Sequence, residues 1–162
     1  MTYRISDNGL NLIKHFEGFR ADLYRDPIGV PTIGYGTTLG AGVVDPLPET
    51  CTEAQAEIWL REYVDRNVIP ALERATEAGE RVFNQNSVDA CCSLAYNLGY
   101  GIFGDNWTIG FHIRHHEYTH ERIGQDFLLY EYADGQRLAG LVTRREAERA
   151  LFDRPEPGAP SC

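Results

Sequence analysis

Residues Phe16–Thr38, FEGFRADLYRDPIGVPTIGYGTT, mark the place where the hydrophobic rhythm of the chain changes. Before them, Leu10, Ile13 and Phe16 recur at three-residue steps, the apolar stripe of a helix. Ser6 suits the N-cap of that helix, and Ile5 is placed to staple onto Leu10. Gly18 fits the position just past a helix C-terminus, so Glu17 projects from the last turn. The helix dipole and partial burial there both disfavour negative charge, a setting suited to a proton donor. From residue 19 to 45 the helical period vanishes. Alternating residues between Gly and Pro punctuation predict a small antiparallel sheet of two or three short strands. Asp26 ends a strand at an Asp-Pro-x-Gly turn, and Thr32 opens the run Thr-Ile-Gly-Tyr-Gly-Thr-Thr. Taken singly, these are an exposed helix-end glutamate, a turn aspartate and a β-branched strand residue. Taken together, two carboxylates set close by a helix end and a hairpin are what acid/base cleavage of a glycosidic bond requires.

Downstream, Pro46-Leu47-Pro48 closes the sheet region, and Thr52 with Gln55 forms a capping box. A helix is predicted over Glu53–Asn67, with Ala56, Trp59, Leu60, Tyr63 and Val64 at helical spacing. Pro70 ends or kinks it, and helix resumes through Ala78 before Gly79. Further helices are predicted over 86–98, 107–115, 120–131 and 143–152, separated by Gly99–Asp105 and Ala133–Leu138. The expected class is α+β. A β-rich lobe (19–50) and a mostly helical lobe (1–18 and 80–153) are joined by a long bridging helical segment (52–78). The whole forms one catalytic domain over 1–153, and 154–162 reads as a disordered Pro/Gly-rich tail.

Composition narrows the function classes. At 162 residues and 43% hydrophobic, the chain can bury one sizeable core. A formal charge of −9 argues against nucleic acid and anionic membranes as partners, because both are held by clustered positive charge. Protonating all five histidines would still leave the chain anionic. No apolar run spans a bilayer, and MTYRISDNGLNLIKHFEGF lacks the basic start and apolar core of a secretory signal. Synthesis in the cytoplasm without a membrane anchor is the expectation. Cys51, Cys91 and Cys92 read as buried free thiols, and Cys162 as an exposed residue at the end of the tail.

Glu17-Gly18, Tyr24-x-Asp26 and Thr32-Ile33-Gly34-Tyr35-Gly36 together resemble the phage-type lysozymes, the endolysin family of glycoside hydrolases with an ordered Glu–Asp–Thr triad. Ser93–Phe103, SLAYNLGYGIF, is similar to the family's aromatic-Asn-x-Gly segment. Gly140–Phe152, GLVTRREAERALF, is similar to its Gly-Leu-x-x-Arg-Arg-x-x-Glu ending. The resemblance implies a two-lobed lysozyme-like fold with peptidoglycan glycan strands bound between the lobes. It implies cleavage of the β-1,4 bond between N-acetylmuramic acid and N-acetylglucosamine, with inversion. Glu17 would be the general acid, Asp26 the ionised partner of an attacking water, and Thr32 a second contact to that water. Arg144, favoured over Arg145, would pair with the acid. No cofactor and no metal are implied. A monomer is expected, made in the host cytoplasm and released to the cell wall by a separate holin-type membrane-lesion protein.

One motif points elsewhere. His116-Glu117-Tyr118-Thr119-His120 spells H-E-x-x-H, which on a single helix would offer two imidazoles to Zn²⁺ with Glu117 as base, and Glu131 or Glu146 as a third ligand. A zinc peptidase is therefore one alternative. No metzincin extension follows, however, and the family comparison places HHEYT in a turn. A solvated histidine patch is the plainer reading. A peptidoglycan-binding protein that has lost catalysis is the other alternative.

Overall fold

The computed structural model describes residues 2–156. Helix α1 (Asp7–Glu17) is started by Ser6, whose hydroxyl accepts from the Gly9 amide, and it ends at Gly18 (φ 70°). Leu10 and Ile13 are fully buried, whereas Phe16 and Glu17, one turn later, reach the surface of the core. Strands β1 (Arg20–Arg25) and β2 (Pro31–Gly34) form an antiparallel pair with Tyr24 opposite Thr32. A third strand does not form. In its place Thr50 bridges to Asp22, with the Leu23 and Cys51 amides bonded to Glu49 and Ala21 carbonyls.

The capping box at Thr52 and Gln55 opens α2 (Glu53–Tyr63). The chain then remains helical into α3 (Ile69–Ala78) by way of a π-turn over Val64–Val68. Pro70 explains the π-turn: it brings no amide, and its ring would strike the carbonyl four residues back in a regular α-helix. Widening the preceding turn, with the Ile69 amide bonded to the Val64 carbonyl, absorbs that clash without ending the helix. The predicted end or kink is thus a local expansion.

Helix α4 (Gln85–Leu98) is buried almost all round from Ser87 to Ala95, so it forms the axis of the helical part. It packs against α1 and α7 (Ala139–Phe152). Cys91 and Cys92 lie inside it as free thiols, and Cys51 is also buried and free. Cys162 and most of the expected tail lie outside the described residues. Arg154–Glu156, the described start of that tail, are tied down: the Arg154 carbonyl accepts from Asn84 and Asn86, and Glu156 from the Gln85 amide.

Helices α5 (Thr108–Arg114) and α6 (His120–Asp126) are shorter than expected, α6 tightening into a 3₁₀ turn over Phe127–Leu129. The Ala133–Leu138 separator contains a hairpin, β3 (Tyr132–Ala133) with β4 (Gln136–Arg137). Asp134 and Gly135 both have positive φ at its tip. The Asp-Gly pair is the sequence signal for such a turn. Helix α7 begins four residues earlier than expected because the hairpin delivers the chain directly into its first turn, the Leu138 amide bonding Glu131.

Helix α5 lacks its own C-terminal cap, and Arg81 serves in its place. Its Nε donates to the Ile113 carbonyl at 2.8 Å, and Nη2 lies 2.5–3.1 Å from the His112, His115 and Tyr118 carbonyls. One guanidinium thus closes both the helix end and the turn that follows. Arg81→Ala is expected to destabilise the protein by about 2–3 kcal/mol, the scale of hydrogen bonds to a charged group. That corresponds to a Tm lower by roughly 4–12 °C by scanning calorimetry.

Candidate active site

Glu17 meets the rest of the site through Arg144. The guanidinium Nη1 donates to Glu17 Oε1 at 2.7 Å, and the Phe16 ring lies under the same guanidinium at 5.4 Å. Arg144 is buried and held from three sides: Nε donates to Glu148 Oε1 (3.1 Å), Nη2 to the Ser93 carbonyl (3.2 Å), and Nη1 to Glu17. Ser93 Oγ donates to Glu148 Oε1 at 2.6 Å. Arg145, its neighbour, turns away to Glu148 Oε2 and Asn97. The side chain of Glu17 keeps 21% of its surface exposed, enough to face a ligand while one oxygen is fixed.

The hairpin carries Asp26 and Thr32. Asp26 Oδ1 accepts from the Ile28 and Val30 amides (3.0 and 2.8 Å), an Asx-type turn that locks the carboxylate orientation. Asp26 Oδ2 has no hydrogen bond among the described residues. The Asp26 amide and the Thr32 hydroxyl both donate to the Val30 carbonyl, each at 2.9 Å. That one acceptor therefore fixes the two residues relative to each other. Because Thr32 spends its proton on Val30, its lone pairs are what it has left to offer a water.

Beyond Thr32 the chain turns back on itself, Ile33 and Thr37 exchanging both backbone bonds at 2.9 Å around Gly34-Tyr35-Gly36. Gly36 has φ +88°, and a Cβ there would lie 3.4 Å from Glu17 Oε2. Gly36, Thr37, Ala41, Tyr63 and Tyr96 line an open cleft of about 260 Å³, with Gly36 its link to the carboxyl group. Burial, and then the nearby Glu17 charge, push the Tyr96 phenol up from its ordinary range.

The family model described as phage lysozyme matches residues 14–148, most of the chain and all of these side chains. The chain belongs to the phage lysozyme family. It is 36% identical over 160 residues to the endolysin of Lactococcus phage c2, covering 94% of this chain but 61% of that protein. It therefore spans less than two thirds of that relative. The endolysin of Acyrthosiphon pisum secondary endosymbiont phage 1 is 35% identical over 153 residues, covering 92% of this chain and 97% of its own. Among solved structures, the muramidase domain of SpmX from Asticaccaulis excentricus superposes with a TM-score of 0.75. Its identity is 29%, over 94% of this chain and 99% of that domain. The fold is accordingly the α+β, lysozyme-like class expected from the sequence.

For a member of the phage lysozyme family the H-E-x-x-H stretch is surplus, and the structure gives it other work. His116 and Glu117 sit in the turn after α5, with His116 at 80% side-chain exposure, while His120 opens α6. His120 stacks on Phe152 at 4.2 Å, and its Nε2 lies 3.2 Å from the Phe152 carbonyl. The two imidazoles thus do not share a helical face, and the described residues contain no cluster of three metal-binding side chains. His116 and His120 are exposed and His115 is half-exposed, as in the solvated patch expected from the sequence, and His112 is the exception. His112 is buried, with Nδ1 2.5 Å from Asp126 Oδ2 and its ring against Tyr118. The His112–Asp126 pair links α5 to α6 where the two helices pack.

Sequence reasoning placed Ser93, Tyr96 and Glu148 within the family's segments but gave none of them a role. The signal for Glu148 was present, since it stands four residues after Arg144 and three after Arg145, on their helical face.

Proposed function

We propose that this chain is an endolysin-type muramidase, hydrolysing the β-1,4 bond between N-acetylmuramic acid and N-acetylglucosamine in peptidoglycan. The observation that carries the reading is two differently held carboxyls: Glu17, clamped on one oxygen by buried Arg144, and Asp26, clamped on one oxygen by two backbone amides. Each presents its second oxygen. Family membership and the likeness to a muramidase domain support the same substrate.

In this reading Glu17 donates its proton to the glycosidic oxygen as the bond to C1 breaks, and the leaving sugar departs as an alcohol. Asp26 Oδ2 accepts a proton from a water that attacks C1, while Thr32 accepts a hydrogen bond from the same water. The water oxygen ends on C1 with inverted configuration, as expected when a water fits between the two carboxyls. Arg144 holds Glu17 in place through its Ser93 and Glu148 anchors, so the acid reaches the leaving oxygen without paying to be ordered at each turnover.

The protein works as a monomer on the bacterial cell wall. It is made in the host cytoplasm and reaches the wall once a separate holin-type protein has opened the membrane. No helix among the described residues is long and apolar enough to cross a bilayer. Mass spectrometry of muropeptides released from purified peptidoglycan tests the chemistry. Reducing N-acetylmuramic acid ends are expected. Anhydro ends would instead make the enzyme a lytic transglycosylase, and cleaved stem peptides would make it a peptidase. Binding to the wall without products would leave only a binding protein.

Chelation supplies a second check. Saturating EDTA is expected to leave the rate of peptidoglycan hydrolysis unchanged, since no proposed step uses a metal. A rate lost on chelation and restored by Zn²⁺ would revive the H-E-x-x-H reading.

A further inference from the structure

We propose that Tyr96 is a positioning residue for the catalytic acid, acting through the glycine turn that faces the acid's second oxygen. The proposal rests on the muramidase reading above. Glu17 Oε1 is occupied by Arg144 at 2.7 Å, so Oε2 is the oxygen left to meet the leaving group. What stands beside Oε2 is Gly36, close enough that a Cβ there would come within 3.4 Å. The turn that carries Gly36 is closed at its base by the Ile33–Thr37 backbone pair. Its interior has glycine at two of three positions, Gly34 and Gly36, both at positive φ (67° and 88°). Glycine lowers the cost of that shape but adds no stiffness. The wall beside the acid must be fixed from outside.

Tyr96 is the side chain that ties the turn's backbone to α4. From α4 its hydroxyl donates to the Tyr35 carbonyl at 2.7 Å, the peptide that leads into Gly36. Its ring is itself held edge-on against Tyr63, with centroids 5.5 Å apart at 90°. Ser93, the α4 residue whose carbonyl anchors Arg144 at 3.2 Å, lies three positions earlier and therefore on the same helical face. One face of α4 thus sets both sides of the carboxyl: Ser93 holds the arginine on Oε1, and Tyr96 holds the turn beside Oε2. Phe19 and Lys14 pack on the Tyr35 ring (5.5 and 5.8 Å) and Ala56 backs Gly34, while Tyr96 adds a hydrogen bond to the turn's backbone at the peptide next to Gly36.

Tyr96→Phe tests the proposal, because it keeps the ring and its packing on Tyr63 and removes the hydroxyl with its hold on the turn at the Tyr35 carbonyl and Thr37. Steady-state kinetics on soluble, uncrosslinked glycan strands are read together with the melting temperature. An acid left free to shift against its leaving group is expected to lower kcat by about tenfold. KM should stay within about twofold, since the ring that lines the cleft is retained. The Tm should fall by no more than roughly 4 °C, the cost of one hydrogen bond in a domain this size. A raised KM with unchanged kcat would instead make Tyr96 a sugar contact and overturn the proposal. So would an unchanged kcat, or a loss of activity that merely tracks a large fall in Tm. Wild-type protein that releases no reducing N-acetylmuramic acid ends would fail the muramidase reading itself. Normal wild-type turnover with an unaffected variant removes the role of Tyr96 alone.

Discussion

Glu17→Gln is expected to fold normally and to lose peptidoglycan hydrolysis by about 10²–10⁴-fold in kcat, the range of a positioned general acid. The substitution is nearly isosteric, and glutamine keeps an oxygen to accept the Arg144 Nη1 proton. Arg144 also retains Glu148 and Ser93, so its buried charge is not left without partners. Stability should therefore change by no more than about 1 kcal/mol, a fall in Tm of at most roughly 4 °C. What disappears is the proton, and with it the ability to release the leaving sugar as an alcohol. The bell-shaped dependence of kcat/KM on pH should also lose the limb that reports the acid. A variant that keeps half of the wild-type rate would show that another group protonates the leaving oxygen. A variant that melts far below wild type would show that Glu17 is held for structure.

The sequence made this site legible because its residues lie close together along the chain and obey local rules. Ser6, Gly18 and the Asp-Pro-x-Gly turn each act within a few residues, so the end of α1 and the start of the hairpin follow from capping and turn chemistry. The resemblance to phage lysozymes then turned weak single residues into an ordered set. Long-range partners were harder to see. Arg144 is 127 positions from Glu17, and no local rule separates it from Arg145 next door; only the packing of α7 on α4 does. Tyr96 reads as one more apolar position on a buried helix until its hydroxyl is seen at the Tyr35 carbonyl. Pro70 left two outcomes open, an end or a kink, with helix resuming through Ala78. The resumption holds, and a π-turn absorbs the proline where buried Leu60, Val64, Val68 and Leu72 anchor the segment. The H-E-x-x-H spelling depends on a continuous helix, which Arg81 prevents by gathering the carbonyls of the intervening turn.

Glu148→Ala is expected to be the most destabilising single change, by about 3–5 kcal/mol, as for removal of one partner from a buried ion pair. In a domain this size that lowers Tm by roughly 6–20 °C. Glu148 is wholly buried and satisfies three donors: Ser93 Oγ and Arg144 Nε on Oε1, and Arg145 Nη1 on Oε2. Burial pushes its carboxyl up, opposed by Arg145 and Arg144, while burial pulls Arg145 down, opposed by Glu148. Each charge is thus tolerated because of the other. Alanine leaves two guanidiniums in the core, and Arg145 already has one Nε–H without a partner among the described residues. Arg144 would also lose its Nε anchor, so kcat should fall even at temperatures where the variant is folded. A second variant separates unpaired charge from lost packing. Glu148→Leu combined with Arg145→Met removes the Arg145 pair and fills its space with apolar atoms, which in other buried pairs is often close to neutral, and leaves Arg144 its Glu17 and Ser93 partners. The double variant is therefore expected to melt above Glu148→Ala, although it carries more substitutions. If calorimetry finds it less stable instead, the cluster contributes net attraction beyond its own desolvation, and the acid's support is stronger than pairing alone provides.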